Sequence, residues 1–183
     1  MSGGVDMRGS ADKTDEELWA NAYHEAGHAL VDWYLGRGLR KKGVTIVPNK
    51  KKGTAGACHS KLVIRKEYGC FNPSHINQMR AEIAVMGLMA GEIAQRRHNP
   101  RSVQSYQASG DRRQMDNLLT VFTYNQKEIT AWITLLEIRT QNLFDNANIW
   151  RAVKALAVAL MEKHTINGEE ATGILSAGFR EWE

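Results

Sequence analysis

The first strong pattern in the chain is an amphipathic segment that follows a polar, glycine-rich stretch. Residues 1–13 carry few apolar side chains, which predicts a disordered tail. The letters TDEEL come next, and Thr14 with Glu17 three positions later is typical of a capping box at the start of a helix. Apolar residues then recur at helical spacing until Gly36, where the helix is predicted to end. They are Leu18, Trp19, Ala22, Ala26, Ala29, Leu30 and Trp33.

After this helix the pattern changes to short runs rich in β-branched residues. VTIV at residues 44–47 and LVI at residues 62–64 are separated by a region rich in glycine and lysine. Such runs favour strands. Two of them so close together predict a small hairpin or a sheet of two or three strands.

Helical periodicity then returns in a segment that ends before Asn99-Pro100. The residue before a proline disfavours helical backbone, so the second helix is predicted to stop there. Its predicted apolar face consists of Ile76, Met79, Ile83, Met86 and Ala90.

The rest of the chain also has helical spacing. A third helix is predicted from Asp111, two more over about 127–144 and 148–164, and a last one capped by Asn167. The predicted fold class is therefore mainly α with one small β-hairpin or sheet, in a single domain over residues 14–183.

Composition and charge are those of an ordinary globular chain. Of the 183 residues, 43% are hydrophobic and 24% are charged. No apolar run approaches the about 20 residues of a spanning helix, and the N-terminus lacks the apolar core of a signal peptide. We therefore expect a cytoplasmic protein with no membrane partner. Ten Lys/Arg and no acidic residue lie between Asp32 and Glu67. No aromatic residues are interleaved with the lysine runs, so nucleic acid is not the expected partner.

The candidate chemistry lies in NAYHEAGHALV, inside the first predicted helix. His24, Glu25 and His28 have the spacing His-Glu-x-x-His. Residues four apart share one face of a helix, so two imidazoles can converge on one metal ion. A glutamate directly after the first histidine can take a proton from the activated water and return it to the leaving amine. The pattern predicts Zn²⁺ as cofactor and Glu25 as general base; the alternative is a surface helix that matches by chance.

A third protein ligand is needed, because catalytic zinc takes three protein ligands and a water. The metzincin class would have glycine at position 31 and histidine at position 34, whereas this chain has Val31 and Tyr34. The remaining candidates are Glu92 and Asp111. The residues alone do not choose between them, and Asp111 could equally be an N-cap.

Five blocks of sequence occur in the order known from one protease family. They are AYHEAGHALV, VTIVP, LMAGEIAQ, ASGD and LMEKHTINGEE. In these blocks the chain, from about residue 15 to its end, resembles the peptidase domain of the FtsH-type zinc proteases, which are membrane-anchored, ATP-dependent AAA proteases. The resemblance implies a zincin-like helical peptidase domain. It also implies that His24, His28 and Asp111 hold zinc, with Glu25 as general base.

The chain also departs from that family. The family's Gly-Gly-Arg-Ala-Ala-Glu-Glu segment corresponds to AGEIAQR, so Gln95 and Arg96 stand in place of carboxylates. RRQMD replaces the usual Leu-x-x-Ala-Thr after Asp111. The sequence contains no Gly-x-x-x-x-Gly-Lys-Ser/Thr loop. We therefore expect a peptidase domain without the ATPase module and independent of ATP, with a separate ATPase or regulatory protein as a candidate partner.

The expected substrate is an unfolded polypeptide that pairs with an edge strand. Either VTIV or the strand that reaches TAGA is the predicted edge. The small residues Gly53, Ala55, Gly56 and Ala57 would let a substrate backbone come close, although a flexible turn is an equally good interpretation.

Two functions are consistent with these residues. The first is a zinc-dependent endopeptidase, which the intact His24, Glu25, His28 and Asp111 favour. The second is a non-catalytic, peptidase-like binding or regulatory module that retains the zinc site. The replaced carboxylates and the missing ATPase module favour the second.

Overall fold

The computed structural model describes residues 14–49, 51, 54–60, 74–103 and 108–180. The side chains of residues 108–112 are outside this description. The tail predicted over residues 1–13 and the strand predicted at LVI also lie outside the described residues.

Along the described residues the chain is mainly helical with one small sheet, so the predicted fold class is confirmed. The elements are α1 (Asp15–Tyr34), β1 (Leu39–Thr45), β2 (Ala57–Ser60), α2 (His75–His98), α3 (Ala108–Leu119), α4 (Gln126–Asp145), α5 (Ala147–Lys163), β3 (Thr165–Ile166) and α6 (Gly168–Arg180).

The helix ends follow the local sequence signals. The Thr14 hydroxyl accepts from the Glu17 amide at 3.3 Å, and the Thr14 amide donates to the Glu17 carboxylate at 3.1 Å. The capping box of α1 is thereby confirmed. Before α6, the Asn167 side chain accepts from the amides of Glu169 and Glu170 at 3.1 and 2.9 Å, as predicted for an N-cap.

The sheet is antiparallel with the order β2-β1-β3, and its strands differ from the predicted ones. β1 begins at Leu39 and contains only the first two residues of VTIV. It lies between the other two strands, so the prediction that VTIV is an edge is wrong. The early part of β1 carries exposed Arg40, Lys41 and Lys42. Because this part lacks an apolar run, the sequence pattern did not predict it as a strand. Main-chain pairing with β2 at Leu39, Val44 and Thr45 flanks these charged residues, with an irregular register between Leu39 and Val44.

Helix α2 packs on α1 through small residues, and the predicted apolar face is wrong for its first turns. Ile76 and Met79 are 56% and 47% exposed. A Cβ on Gly27 of α1 would lie only 2.5 Å from the Ala90 carbonyl oxygen. Because the two backbones approach so closely, this face of α2 admits only small side chains at many positions. Its buried residues include Ala81, Ala84, Val85, Gly87, Ala90, Gly91 and Ala94.

Helix α1 lies at the centre of the fold, in contact with α2, α5 and the sheet. The core around it contains the fully buried side chains of Leu30, Phe144, Leu156, Leu160 and Leu175. The helix that carries the two histidines is therefore packed on several sides by other elements. In the described part of the chain, no helix combines the length and hydropathy needed to cross a bilayer.

Candidate metal centre

The two histidines of α1 face each other through their outer ring nitrogens. His24 Nε2 and His28 Nε2 are 3.1 Å apart, and both side chains are partly buried. The rings meet edge to face, with centroids 4.7 Å apart. The spacing of four residues thus brings both imidazoles to one point.

Each histidine is held at its inner nitrogen by an acceptor on α2. His24 Nδ1 lies 3.0 Å from Gln95 Oε1, and His28 Nδ1 lies 2.6 Å from the Gly87 carbonyl oxygen. A carbonyl only accepts, so His28 Nδ1 carries a proton. Gln95 Nε2 donates to the Ser102 carbonyl at 2.9 Å, which turns Gln95 Oε1 toward His24. In the neutral form of each ring, Nε2 therefore carries the lone pair.

The residues fit a metal ion between the two rings. Two lone pairs that face each other at 3.1 Å repel unless a proton or a cation lies between them. A single zinc ion at about 2.0–2.1 Å from each nitrogen matches this separation. The room for it depends on Gly91, because a Cβ there would lie 2.4 Å from His28 Nε2 and 2.7 Å from His24 Nε2.

Burial acts in opposite directions on the pKa of His28 and on that of Cys58. Burial lowers the pKa of His28, and the Arg37 charge also lowers it, against the opposing effect of the Gly87 hydrogen bond. The neutral ring, which is the form that binds metals, is favoured. Burial raises the pKa of the Cys58 thiol well above its ordinary value, and the charges of Asp32 and Glu25 add to this. In the metal-free chain these effects favour the protonated thiol of Cys58, although the Arg37 charge acts in the opposite direction.

Glu25 lies beneath strand β2. It is 7% exposed, and a Cβ on Gly56 would lie 2.7 Å from its Oε1 atom. The main chain that enters β2 passes this close because residue 56 is glycine. The candidate general base and the candidate substrate strand are therefore neighbours.

The third ligand is not assigned by the described side chains. Asp111 is the fourth residue of α3, in its first turn rather than at its cap, so the N-cap interpretation is wrong. Its side chain lies outside the description, and α3 packs against α2. Glu92 forms an ion pair with Arg96 on the outer side of α2. Where side chains are described, no three residues among His, Cys, Asp and Glu form a ligand group.

The predicted substrate-binding residues are only partly placed. Gly53 is outside the described residues, and Ala55 is exposed in a bend. Gly56 is buried, and Ala57 opens β2 opposite Thr45. In the sheet that the described residues form, β2 is an end strand, and of the predicted TAGA edge it contains only Ala57.

Sequence reasoning missed two residues that shape the centre, Gly87 and Gly91, and treated a third, Gln95, only as the replacement of a carboxylate. They are four positions apart and so lie on the one face of α2 that meets the histidines. The repeated spacing of two glycines and a polar residue was the available signal. This spacing contributes no large apolar residue, so it was not part of the predicted apolar face of α2.

Comparison with known proteins finds a partial match. No protein-family model matches the chain. The ATP-dependent zinc metalloprotease FtsH of Mycoplasma mobile is 35% identical over 95 residues. This match covers 49% of the present chain and only 12% of the length of that protein. The chain therefore contains a region related to part of an FtsH protein.

Proposed function

We propose that this chain is a zinc-dependent endopeptidase that hydrolyses unfolded polypeptides. The observation that carries the proposal is the pair of Nε2 atoms of His24 and His28, 3.1 Å apart, on the helix that also carries the buried Glu25. The partial similarity to a protein named as a zinc metalloprotease supports zinc as the metal.

The chemistry assigns one role to each group. Zinc held by His24, His28 and Asp111 would lower the pKa of a water molecule and polarise the substrate carbonyl. The Glu25 carboxylate would accept a proton from the attacking water and deliver it to the leaving amine. Gln95 and Gly87 would keep both imidazoles in the tautomer that offers Nε2 to the metal.

The proposed substrate site is strand β2. An extended peptide can add to an end strand through main-chain hydrogen bonds. The close approach of Gly56 to Glu25 would bring such a peptide next to the general base. Main-chain pairing reads few side chains, so we expect loose specificity. Folded proteins should resist cleavage because their backbone is already paired.

A non-catalytic module that retains the metal is the second candidate. The replacement of one or both carboxylates of the FtsH-type segment, at Gln95 and Arg96, favours it. Gln95, however, still accepts the hydrogen bond from His24, so this replacement preserves the support of the ligand.

The decisive experiment is cleavage of casein, with zinc and without ATP, by the wild type and by Glu25→Gln. We expect cleavage by the wild type only, with equal zinc content in both proteins. The variant lacks the proton acceptor but keeps the ligands. A zinc-loaded wild type that leaves casein intact would support the non-catalytic module. Equal cleavage by both would contradict the role of Glu25.

The third ligand is tested by Asp111→Ala with Glu92→Ala as the matched control. We expect zinc affinity to fall in Asp111→Ala by more than about 100-fold, beyond the usual effect of losing an outer support. Glu92→Ala should bind zinc like the wild type, because Glu92 is paired with Arg96. A competition titration with a chromophoric chelator measures both. The opposite result would move the third ligand to Glu92.

A further inference from the structure

A buried ion pair lies one helical turn beyond His28. Asp32 is 4% exposed, and its Oδ1 atom is 2.6 Å from Nη1 of Arg37, whose side chain is 13% exposed. Removing two charges from water is costly, and a buried ion pair is weak support for stability by itself. The position of this pair therefore points to a role other than stability.

The pair connects three elements of the centre. Asp32 belongs to α1, and Arg37 Nη2 donates to the Ser60 hydroxyl of β2 at 3.2 Å. A Cβ on Gly87 of α2 would lie 2.6 Å from Arg37 Nη1 and 2.8 Å from Asp32 Oδ1. The pair is thus packed directly on Gly87, whose carbonyl holds His28 Nδ1 at 2.6 Å.

The two charges depend on each other. Burial raises the pKa of Asp32, whereas the Arg37 charge and a hydrogen bond with Ser60 lower it. Burial lowers the pKa of Arg37, and the Asp32 charge raises it. A buried charge without its partner is costly. Removing either Asp32 or Arg37 should therefore make the other side chain leave its buried position.

We propose that Asp32 and Arg37 are positioning residues of the metal centre. They hold Gly87 in the place that fixes the Nδ1–H tautomer of His28. The hydrogen bond from Arg37 to Ser60 also connects the candidate substrate strand β2 to this ion pair. The consequence for catalysis rests on the proposed function, whereas the effect on His28 exists in the metal-free chain.

The test reads the tautomer of His28 by long-range proton–nitrogen NMR of the full chain labelled with nitrogen-15 histidine, without zinc. The wild type should show protonation at Nδ1 alone. Two variants break the pair: Arg37→Met, and Asp32→Leu/Arg37→Met, in which both charges are replaced by apolar groups. Such double replacement often preserves stability. In the folded variants we expect a mixture of His28 tautomers and zinc affinity lower by roughly 10-fold to 100-fold.

Two controls separate positioning from general destabilisation. Arg139→Met breaks an exposed ion pair with Glu82 between α4 and α2, and should change neither the tautomer nor zinc affinity. Ser60→Ala removes the contact of Arg37 with β2 and also the Ser60 hydrogen bond that lowers the pKa of Asp32. It should raise the KM for a peptide substrate by about tenfold with kcat retained, and should change the His28 tautomer and zinc affinity less than the double variant does.

A folded double variant that keeps the wild-type tautomer and zinc affinity would overturn the proposal. If the double variant does not fold, Asp32→Asn provides the same reading, because it keeps the shape of the side chain and removes its charge. Absence of proteolysis in the wild type would count against the proposed function only, since the tautomer is measured without zinc or substrate.

Discussion

His24 and His28 lie four residues apart on one helix, yet the surrounding molecule holds them in different ways. At the His24 end, the acceptor is the side chain of Gln95, which is itself held by Ser102. At the His28 end, the acceptor is the main-chain carbonyl of Gly87, with the buried ion pair packed against it.

The two histidine supports should respond differently to amino-acid substitution. A side-chain acceptor disappears when its residue is replaced, so the His24 end can be broken directly. A main-chain acceptor persists whatever residue occupies position 87, so the His28 end is sensitive to size and packing instead. Substitutions at Gly91, Gln95 and Ser102 separate these two kinds of support.

The largest effect is expected from Gly91→Ala, which disturbs both ends together. The added Cβ would occupy the space next to both Nε2 atoms, so zinc affinity should fall by more than about 100-fold. The matched control is Gly173→Ala on α6, where an added Cβ meets nothing within 4 Å. It should bind zinc normally and stabilise the fold by about 0.5–1 kcal/mol, because alanine is the better helix former. Chelator competition and denaturant unfolding measure the two effects, and normal zinc binding by Gly91→Ala would contradict the site geometry.

An intermediate effect is expected at the His24 end. Gln95→Leu removes the acceptor for His24 Nδ1 and should lower zinc affinity by roughly 10-fold to 100-fold. Gln95→Glu retains an acceptor and should restore most of the affinity. Zinc titration of both variants checks this order. Equal affinity of Gln95→Leu and the wild type would show that His24 needs no support from α2.

The smallest effect is expected from Ser102→Ala. Gln95 Nε2 would lose a weak contact of 3.3 Å with the hydroxyl but keep its 2.9 Å bond to the Ser102 carbonyl. Zinc affinity should change by less than about 0.5 kcal/mol, the usual range for substitutions away from critical contacts. A loss in the titration as large as that of Gln95→Leu would mean that the hydroxyl, and not the carbonyl, orients Gln95.

Features set by neighbouring residues were predictable from the sequence. The capping box of Thr14 and Glu17 and the convergence of His24 with His28 both depend on spacings within one helix. They appear in the structure as expected. The mainly α class with one small sheet follows from the same local periodicities.

Features set by contacts between distant segments were not predictable in this way. β1 extends through charged residues because β2 pairs with it, and α2 buries alanines and glycines because α1 comes so near. The carbonyl that supports His28 cannot be identified from residue type, since every residue has a carbonyl; only the small size of Gly87 marks the close approach. The environment of the Asp32–Arg37 pair depends on contacts among α1, α2 and β2, which are distant in the sequence.

The most direct test of the metal centre is the zinc K-edge X-ray absorption spectrum of the full chain loaded with one equivalent of zinc. The proposed site of His24, His28 and Asp111 predicts two imidazole ligands, completed by oxygen and without sulfur. It also predicts that one imidazole disappears in His28→Ala. A spectrum with sulfur ligands, or one unchanged by that substitution, would contradict a zinc site built on His24 and His28.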